Sequence, residues 1–105
     1  MPRTPKKIVF KRPIEEAERE IARILQKYHF SPCDYNGETV WKRNNPGSGV
    51  PVLQFLKIVY TPVGAYLEAW IGTDGETKEI PLNAFEGGSA GIILSIIVEE
   101  IQAAV

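Results

Sequence analysis

The chain contains one histidine, His29, and one cysteine, Cys33, spaced four residues apart. An imidazole beside a thiol is a nucleophile pair, and the same two groups bind zinc. Zinc takes three or four protein ligands, and beyond the adjacent Asp34 no second cysteine or histidine exists to complete the set. The spacing also crosses a predicted helix end, so the two side chains need not share a face. We therefore expect no metal site and no cofactor, and no intramolecular disulfide.

Lys57 and Glu68 are a second candidate, because they lie in neighbouring predicted strands. On one sheet face they could act as an acid–base pair. A cross-strand salt bridge explains the same two residues equally well. We assign no catalytic residue from them. The glycine-rich segment 87–91 could cradle an anion before a helix, but it lacks the lysine and the spacing of a P-loop. We interpret it as a hinge with Ser89 as a helix cap.

Alternation along two strands predicts a sheet with two unlike faces. In segments 52–60 and 65–71, one set of alternate residues is mainly aliphatic and belongs beneath the helices. The other set is rich in aromatic residues around the Lys–Glu pair, and it is predicted to lie on the open side. The members of this predicted binding face are Phe55, Lys57, Val59, Tyr66, Glu68 and Trp70, joined by Trp41 or by Val40 according to a register that the sequence does not fix.

A sheet face with several aromatic residues and few charges is not an ordinary solvated surface. One interpretation is a binding platform for a ligand, a peptide or another protomer. The other is a second, minor core that is covered by the 44–51 loop or by the 83–90 segment. Both interpretations remain open at the level of sequence.

Two helices are predicted to support this sheet. Segment 13–28 begins with proline, carries an apolar stripe at helical spacing, and has acidic residues first and basic residues last, in agreement with the helix dipole. Segment 90–104 is apolar on most sides, which indicates burial either against the sheet or against a partner chain.

Sequence patterns predict a first strand over 6–11 and a hairpin around Asn36-Gly37. They also predict two strands over 52–60 and 65–71 and a short edge strand within 76–82. Short turns between successive strands favour antiparallel pairing. The sequence therefore predicts an α+β fold: an antiparallel sheet of four to six strands with two helices packed on one face, in the order β-α-β-β-β-β-α.

Three segments resemble a family of small bacterial domains of unassigned function: 35–42, 54–58 and 67–71. The resemblance covers roughly residues 8–85. In that family the domain often lies beside a zinc ribbon or a membrane segment, whereas this sequence has no zinc-ribbon cysteines and a more apolar final helix. The strand order is also similar to the β-α-β4-α unit of the TATA-box-binding protein. That likeness implies a fold but no function.

The chain has 105 residues with 44% hydrophobic and 24% charged residues, which predicts one domain over 1–105 with a tail over 1–5. Residues 1–43 carry a net charge of +4 and residues 44–105 carry −5, so the whole chain is −1. The basic start contains no long apolar stretch, so it does not resemble a signal peptide. The longest apolar run, 90–98, is shorter than the roughly 20 residues of a spanning helix. We expect a cytoplasmic location and no transmembrane segment.

The missing RRM aromatic motif and the acidic second half argue against nucleic acid as the partner. We expect a non-catalytic module for protein interaction or self-association, a homodimer, that uses the open sheet face or the apolar last helix. The alternative is a small-ligand-binding or enzymatic domain with a pocket on the aromatic face around Lys57 and Glu68.

Overall fold

The computed structural model describes Arg3 and residues 5–44, 53–73, 78–82 and 88–105. Within these ranges, six strands and two helices follow one another in the order β-α-β-β-β-β-β-α. Their bounds are β1 Lys6–Val9, α1 Ile14–Lys27, β2 Ser31–Tyr35, β3 Glu38–Asn44, β4 Leu53–Thr61, β5 Gly64–Thr73, β6 Lys78–Ile80 and α2 Gly88–Ala104. The predicted α+β class and element order are confirmed, with the short β6 as the sixth strand.

All strand pairs are antiparallel, and the sheet order is β1-β5-β4-β3-β2. β5 pairs with three other strands, and β4 follows one of its edges over nine residue pairs. Its other edge is shared: β1 pairs with residues 64–67 and β6 with residues 71–73. β1 and β6 therefore lie end to end along one edge of β5.

The helices cover one face of this sheet. The main core joins the buried side of both helices to one set of alternate strand residues, which includes Leu56, Leu67 and Ile71. Phe55 and Trp70 belong to a separate cluster on the opposite face. They pair directly across β4 and β5, and each is the chain neighbour of a core residue, Leu56 or Ile71. Alternation in β4 and β5 thus separates aliphatic from aromatic residues as the sequence predicts.

α1 buries Ala17, Ile21, Ile24 and Leu25 in a single stripe, and the amide of Ala17 donates to the carbonyl of Pro13 at 3.0 Å. α2 begins at Gly88, so the predicted cap Ser89 lies inside the helix instead of before it. Helix α2 passes very close to the preceding chain: a Cβ on Gly91 would lie 2.0 Å from the carbonyl oxygen of Leu82. Only glycine fits at that contact.

The predicted hairpin around Asn36-Gly37 is confirmed. Both residues have positive φ, 52° and 86°, as a type I′ turn requires. The turn places Tyr35 directly opposite Glu38 across the β2–β3 pair. The predicted glycine-rich segment 87–91 falls in part, and the loop 44–51 in large part, outside the described residues.

α1 ends in a Schellman motif that uses histidine where glycine is usual. The amide of Phe30 donates to the carbonyl of Leu25 at 2.9 Å, and the amide of His29 donates to that of Gln26 at 3.0 Å. His29 has φ 67°, a left-handed conformation that costs a residue with a Cβ roughly 1 kcal/mol. His29 thus serves the backbone turn that directs the chain from α1 into β2.

We expect His29→Gly to raise the free energy of unfolding by about 0.5–1 kcal/mol, because glycine adopts positive φ without steric cost. His29→Ala is the matched control, since it removes the imidazole but keeps the Cβ. Urea unfolding followed by circular dichroism measures both. Equal stability of the two variants would show that the left-handed turn carries no strain.

Candidate functional site

The open sheet face is divided into a covered part and an exposed part. The covered part, here called the aromatic cluster, consists of Tyr35, Val40, Phe55 and Trp70, all of which are buried. Phe55 and Trp70 are 0% exposed. In the exposed part, Tyr66 is 39% exposed. Neither predicted interpretation therefore describes the whole face: its centre is a second core, and its end near the β4–β5 turn is accessible.

Trp41 does not lie on the open face. Its partner across the β3–β4 pair is Leu56, and it packs against the helix-side core. Val40 is the residue of β3 that joins Phe55 and Trp70. Of the two alternatives, Trp41 is therefore wrong and Val40 is the member of the open face, because the β3–β4 register, which local sequence does not fix, turns Trp41 toward the helices.

Phe55 and Trp70 form the base of the aromatic cluster. Their rings are stacked with centroids 5.3 Å apart and an interplanar angle of 8°. Tyr35 packs over both, with centroid distances of 4.9 Å to Phe55 and 5.7 Å to Trp70. Gly72 makes room for this arrangement, because a Cβ there would lie 2.5 Å from the ring of Phe55.

The guanidinium of Arg3 lies on the outer face of Trp70, 3.8 Å from the centroid of the indole. It donates to both carboxylate oxygens of Glu79, from Nε at 2.9 Å and from Nη2 at 2.6 Å. Its Nη1 donates to both oxygens of Glu38, at 2.9 and 3.0 Å. Together Tyr35, Glu38, Trp70 and Glu79 form what we call the guanidinium cage. The Tyr35 hydroxyl completes it by donating to Glu79 at 3.1 Å.

Sequence reasoning missed the cage because it depends on a long-range strand pair. Counting back along the β1–β5 register from the Lys6–Leu67 pair, position 3 falls opposite Trp70 and on the open face. Glu79 lies opposite Gly72 on the same edge of β5. Arg3 belongs to the segment 1–5 that the sequence suggests as a tail, and its side chain is 16% exposed. Only the Tyr35–Glu38 pair was foreseeable, from the Asn-Gly turn.

Lys57 and Glu68 are direct neighbours across the β4–β5 pair. The ion pair of Lys57 is nevertheless with Glu38, where Nζ lies 2.6 Å from Oε1. Glu38 thus accepts from two cations at once.

The hydrogen bond from Lys57, together with that from Arg3, lowers the pKa of the Glu38 carboxyl. Burial, with the bond to Glu79, raises the pKa of the Tyr35 hydroxyl, so at neutral pH it remains a donor.

Among the described residues, one buried side-chain donor has no acceptor. The indole N–H of Trp70 has no hydrogen-bond partner among the described residues. Such a group costs roughly 1–3 kcal/mol. On the helix side, by contrast, the buried amide of Gln54 is satisfied: it donates to the carbonyl of Ala90 at 2.9 Å and accepts from Arg43 at 2.5 Å. The bond to Ala90 ties β4 to the first turn of α2, and the bond from Arg43 joins β3 to β4.

The outer face of α2 is a second accessible apolar surface. Ile92 is 64% exposed and Ile96 is 55% exposed, one helical turn apart. Glu99, on the same side of the helix, is exposed as well. Glu100 instead faces α1, where it accepts from Lys27 at 2.7 Å and from the Tyr28 hydroxyl at 2.5 Å.

Little in the described residues resembles a catalytic or metal centre. Within that part of the chain, no three His, Cys, Asp or Glu side chains come together as a metal site would need. His29 is exposed at the helix end, and Cys33 is half-buried beside the aromatic cluster. No helix among the described residues has the length and apolarity to cross a membrane.

No family model, no curated protein and no solved structure matches the chain. The resemblance to the small bacterial domains and to the TATA-box-binding-protein unit therefore stays a prediction. An assignment of function therefore rests on the geometry of the described residues.

We expect Trp70→Ser to lower the free energy of unfolding by about 3–5 kcal/mol, because it removes a fully buried indole and the base of the cage. Tyr66→Ser is the matched control on the same strand and face, and its exposed ring predicts a loss of less than about 1 kcal/mol. Urea unfolding compares them. Similar losses for the two variants would contradict the division of the open face.

Stability is expected to decrease in acid through the cage. The folded state lowers the pKa of Glu38, so its contribution is present above the unfolded pKa of about 4.3 and is lost as the pH falls below it. Glu38→Gln should therefore flatten the acid dependence and reduce stability at pH 7 by about 1 kcal/mol. Glu16→Gln, on the exposed side of α1, is the control. An unchanged pH profile of the Glu38 variant would contradict the assigned role.

Proposed function

We propose that this protein is a non-catalytic self-association module that forms a homodimer through the outer face of α2. The observation that carries the proposal is the exposure of Ile92 and Ile96 on adjacent turns of a helix whose other side is fully occupied by the core. A two-fold interface requires a patch that is complementary to itself, and two isoleucines spaced i,i+4 satisfy this requirement.

The charges on α2 favour an antiparallel pair of helices. If the two-fold axis passes between Ile92 and Ile96, Glu99 lies five residues from it, or about 7.5 Å along the helix. Each Glu99 is then level with the first turn of the partner helix, where free amides and the helix dipole favour a carboxylate. A parallel pair would place the two Glu99 carboxylates together.

A ligand pocket around Lys57 and Glu68 is supported less well. The ammonium of Lys57 is paired with Glu38, and the aromatic rings that would line the pocket, Phe55 and Trp70, have no exposed surface. The accessible end of the open face, around Tyr66, is a smaller apolar surface than the whole predicted binding face, because Phe55 and Trp70 are buried.

We expect the wild-type chain to sediment as a dimer, and Ile92→Glu or Ile96→Glu to sediment as a monomer. Each substitution removes two isoleucines from a two-fold interface, and burial of one is worth about 1.5–3 kcal/mol, so the dimer dissociation constant should rise at least about 100-fold. Sedimentation equilibrium from micromolar to millimolar concentration measures this.

Val63→Glu is the matched control, because Val63 is 60% exposed but lies in the turn between β4 and β5, where its carbonyl accepts from the amide of Phe10, and not on the Ile92–Ile96 side of α2. It should leave the dimer intact. A wild-type chain that stays monomeric throughout, or a Val63 variant that dissociates as fully as the α2 variants, would contradict the proposal.

A further inference from the structure

We propose that the guanidinium cage is a binding site for an arginine side chain of a partner peptide, and that Arg3 occupies it as an internal ligand. This site lies on the opposite side of the sheet from α2, so the inference is independent of the dimer. The structure supports it through the shape of the cage, its charge, and the way in which Arg3 is held.

The cage matches the two recognition features of a guanidinium group. Glu79 accepts from two nitrogens of the group, Nε and Nη2, and both oxygens of Glu38 accept from the third, Nη1. The indole of Trp70 lies against its flat face at 3.8 Å. An ammonium cannot use this geometry, because a lysine is a point charge without a plane or a bidentate fork.

The four residues of the cage come from paired strands, β2, β3, β5 and β6. The Phe55 ring stacks on Trp70, and the Asn-Gly turn places Tyr35 opposite Glu38. Such a preformed site loses little conformational freedom when a ligand enters. Removal of Arg3 leaves Glu38, Glu79 and Lys57, with a net charge of −1, around an uncovered indole face. That surface is complementary to any guanidinium, whichever chain supplies it.

Among the described residues, the contacts of Arg3 are made by its side chain. The ladder between β1 and β5 begins at Lys6, and Arg3 lies outside it. Exchange with a second arginine therefore breaks no described strand pairing. The buried indole N–H of Trp70 has no acceptor among the described residues.

The test uses the full chain with Trp41→Phe, which leaves Trp70 as the only tryptophan, and with Arg3→Gln, which vacates the cage. The probe is a capped peptide with the sequence of residues 1–7, compared with the same peptide carrying lysine in place of its arginine. Trp70 fluorescence and calorimetry measure binding. We expect the arginine peptide to bind at least about tenfold more tightly than the lysine peptide, and at least about tenfold more tightly than it binds the chain that retains Arg3.

Adding Glu79→Gln to the Arg3→Gln chain should abolish the preference for arginine, because one bidentate acceptor is lost. Equal binding of the two peptides, or no binding by a folded Arg3→Gln chain, would overturn the proposal. If Arg3→Gln and Arg3→Ala both fail to fold, Arg3 is a fixed structural element and the proposal is wrong.

The source of the arginine is also tested. A wild-type dimer that Arg3→Gln alone converts to a monomer would show that Arg3 enters the cage of a second copy, which contradicts internal occupancy. Ile92→Glu acts on the proposed dimer and should leave peptide binding by the Arg3→Gln chain unchanged. The two proposals therefore fail separately.

Discussion

The nine residue pairs between β4 and β5, from Leu53–Gly72 to Thr61–Gly64, are the constraint on which the rest of the fold depends. They place the aliphatic side chains of both strands on one face and Phe55 with Trp70 on the other. A shift of one strand by a single residue would turn its side chains to the opposite face. Ile71 would then face the cage and Trp70 the helices, and neither core would close.

A sheet covered by helices on one side must still protect the apolar residues on its other side. This chain covers Phe55 and Trp70 with Tyr35 and with the guanidinium of Arg3 in place of a third layer of secondary structure. An arginine suits this role because its guanidinium is weakly hydrated and stacks on aromatic rings while its edges bond to carboxylates. Two cations and two carboxylates share the cluster, so its net charge is zero.

α2 shows how one helix serves two surfaces. Leu94, Ile97 and Ile101 are buried in the main core, and Gly91 allows close contact with the chain at Leu82. Ile92 and Ile96 point away from that core. The sequence shows only that the helix is apolar nearly all round; the packing of its inner side decides which isoleucines remain for a partner.

Local patterns were sufficient for much of the fold. The spacing of apolar residues determined α1, Asn36-Gly37 determined the β2–β3 turn, and alternation determined that Phe55 and Trp70 share a face. Each of these predictions rests on a pattern among residues that are close together in the chain.

Only the tertiary structure decided what lies on that face. The choice of Val40 over Trp41 depends on the β3–β4 register, and the arrival of Arg3 and Glu79 on Trp70 depends on two strands that meet the same edge of β5. Residues 3 and 79 are far apart in sequence, and charged side chains carry no periodic signal that would pair them. Long-range pairing is set by the sum of packing in the whole sheet, so the cage, unlike the strands that support it, could not be deduced from the order of residues.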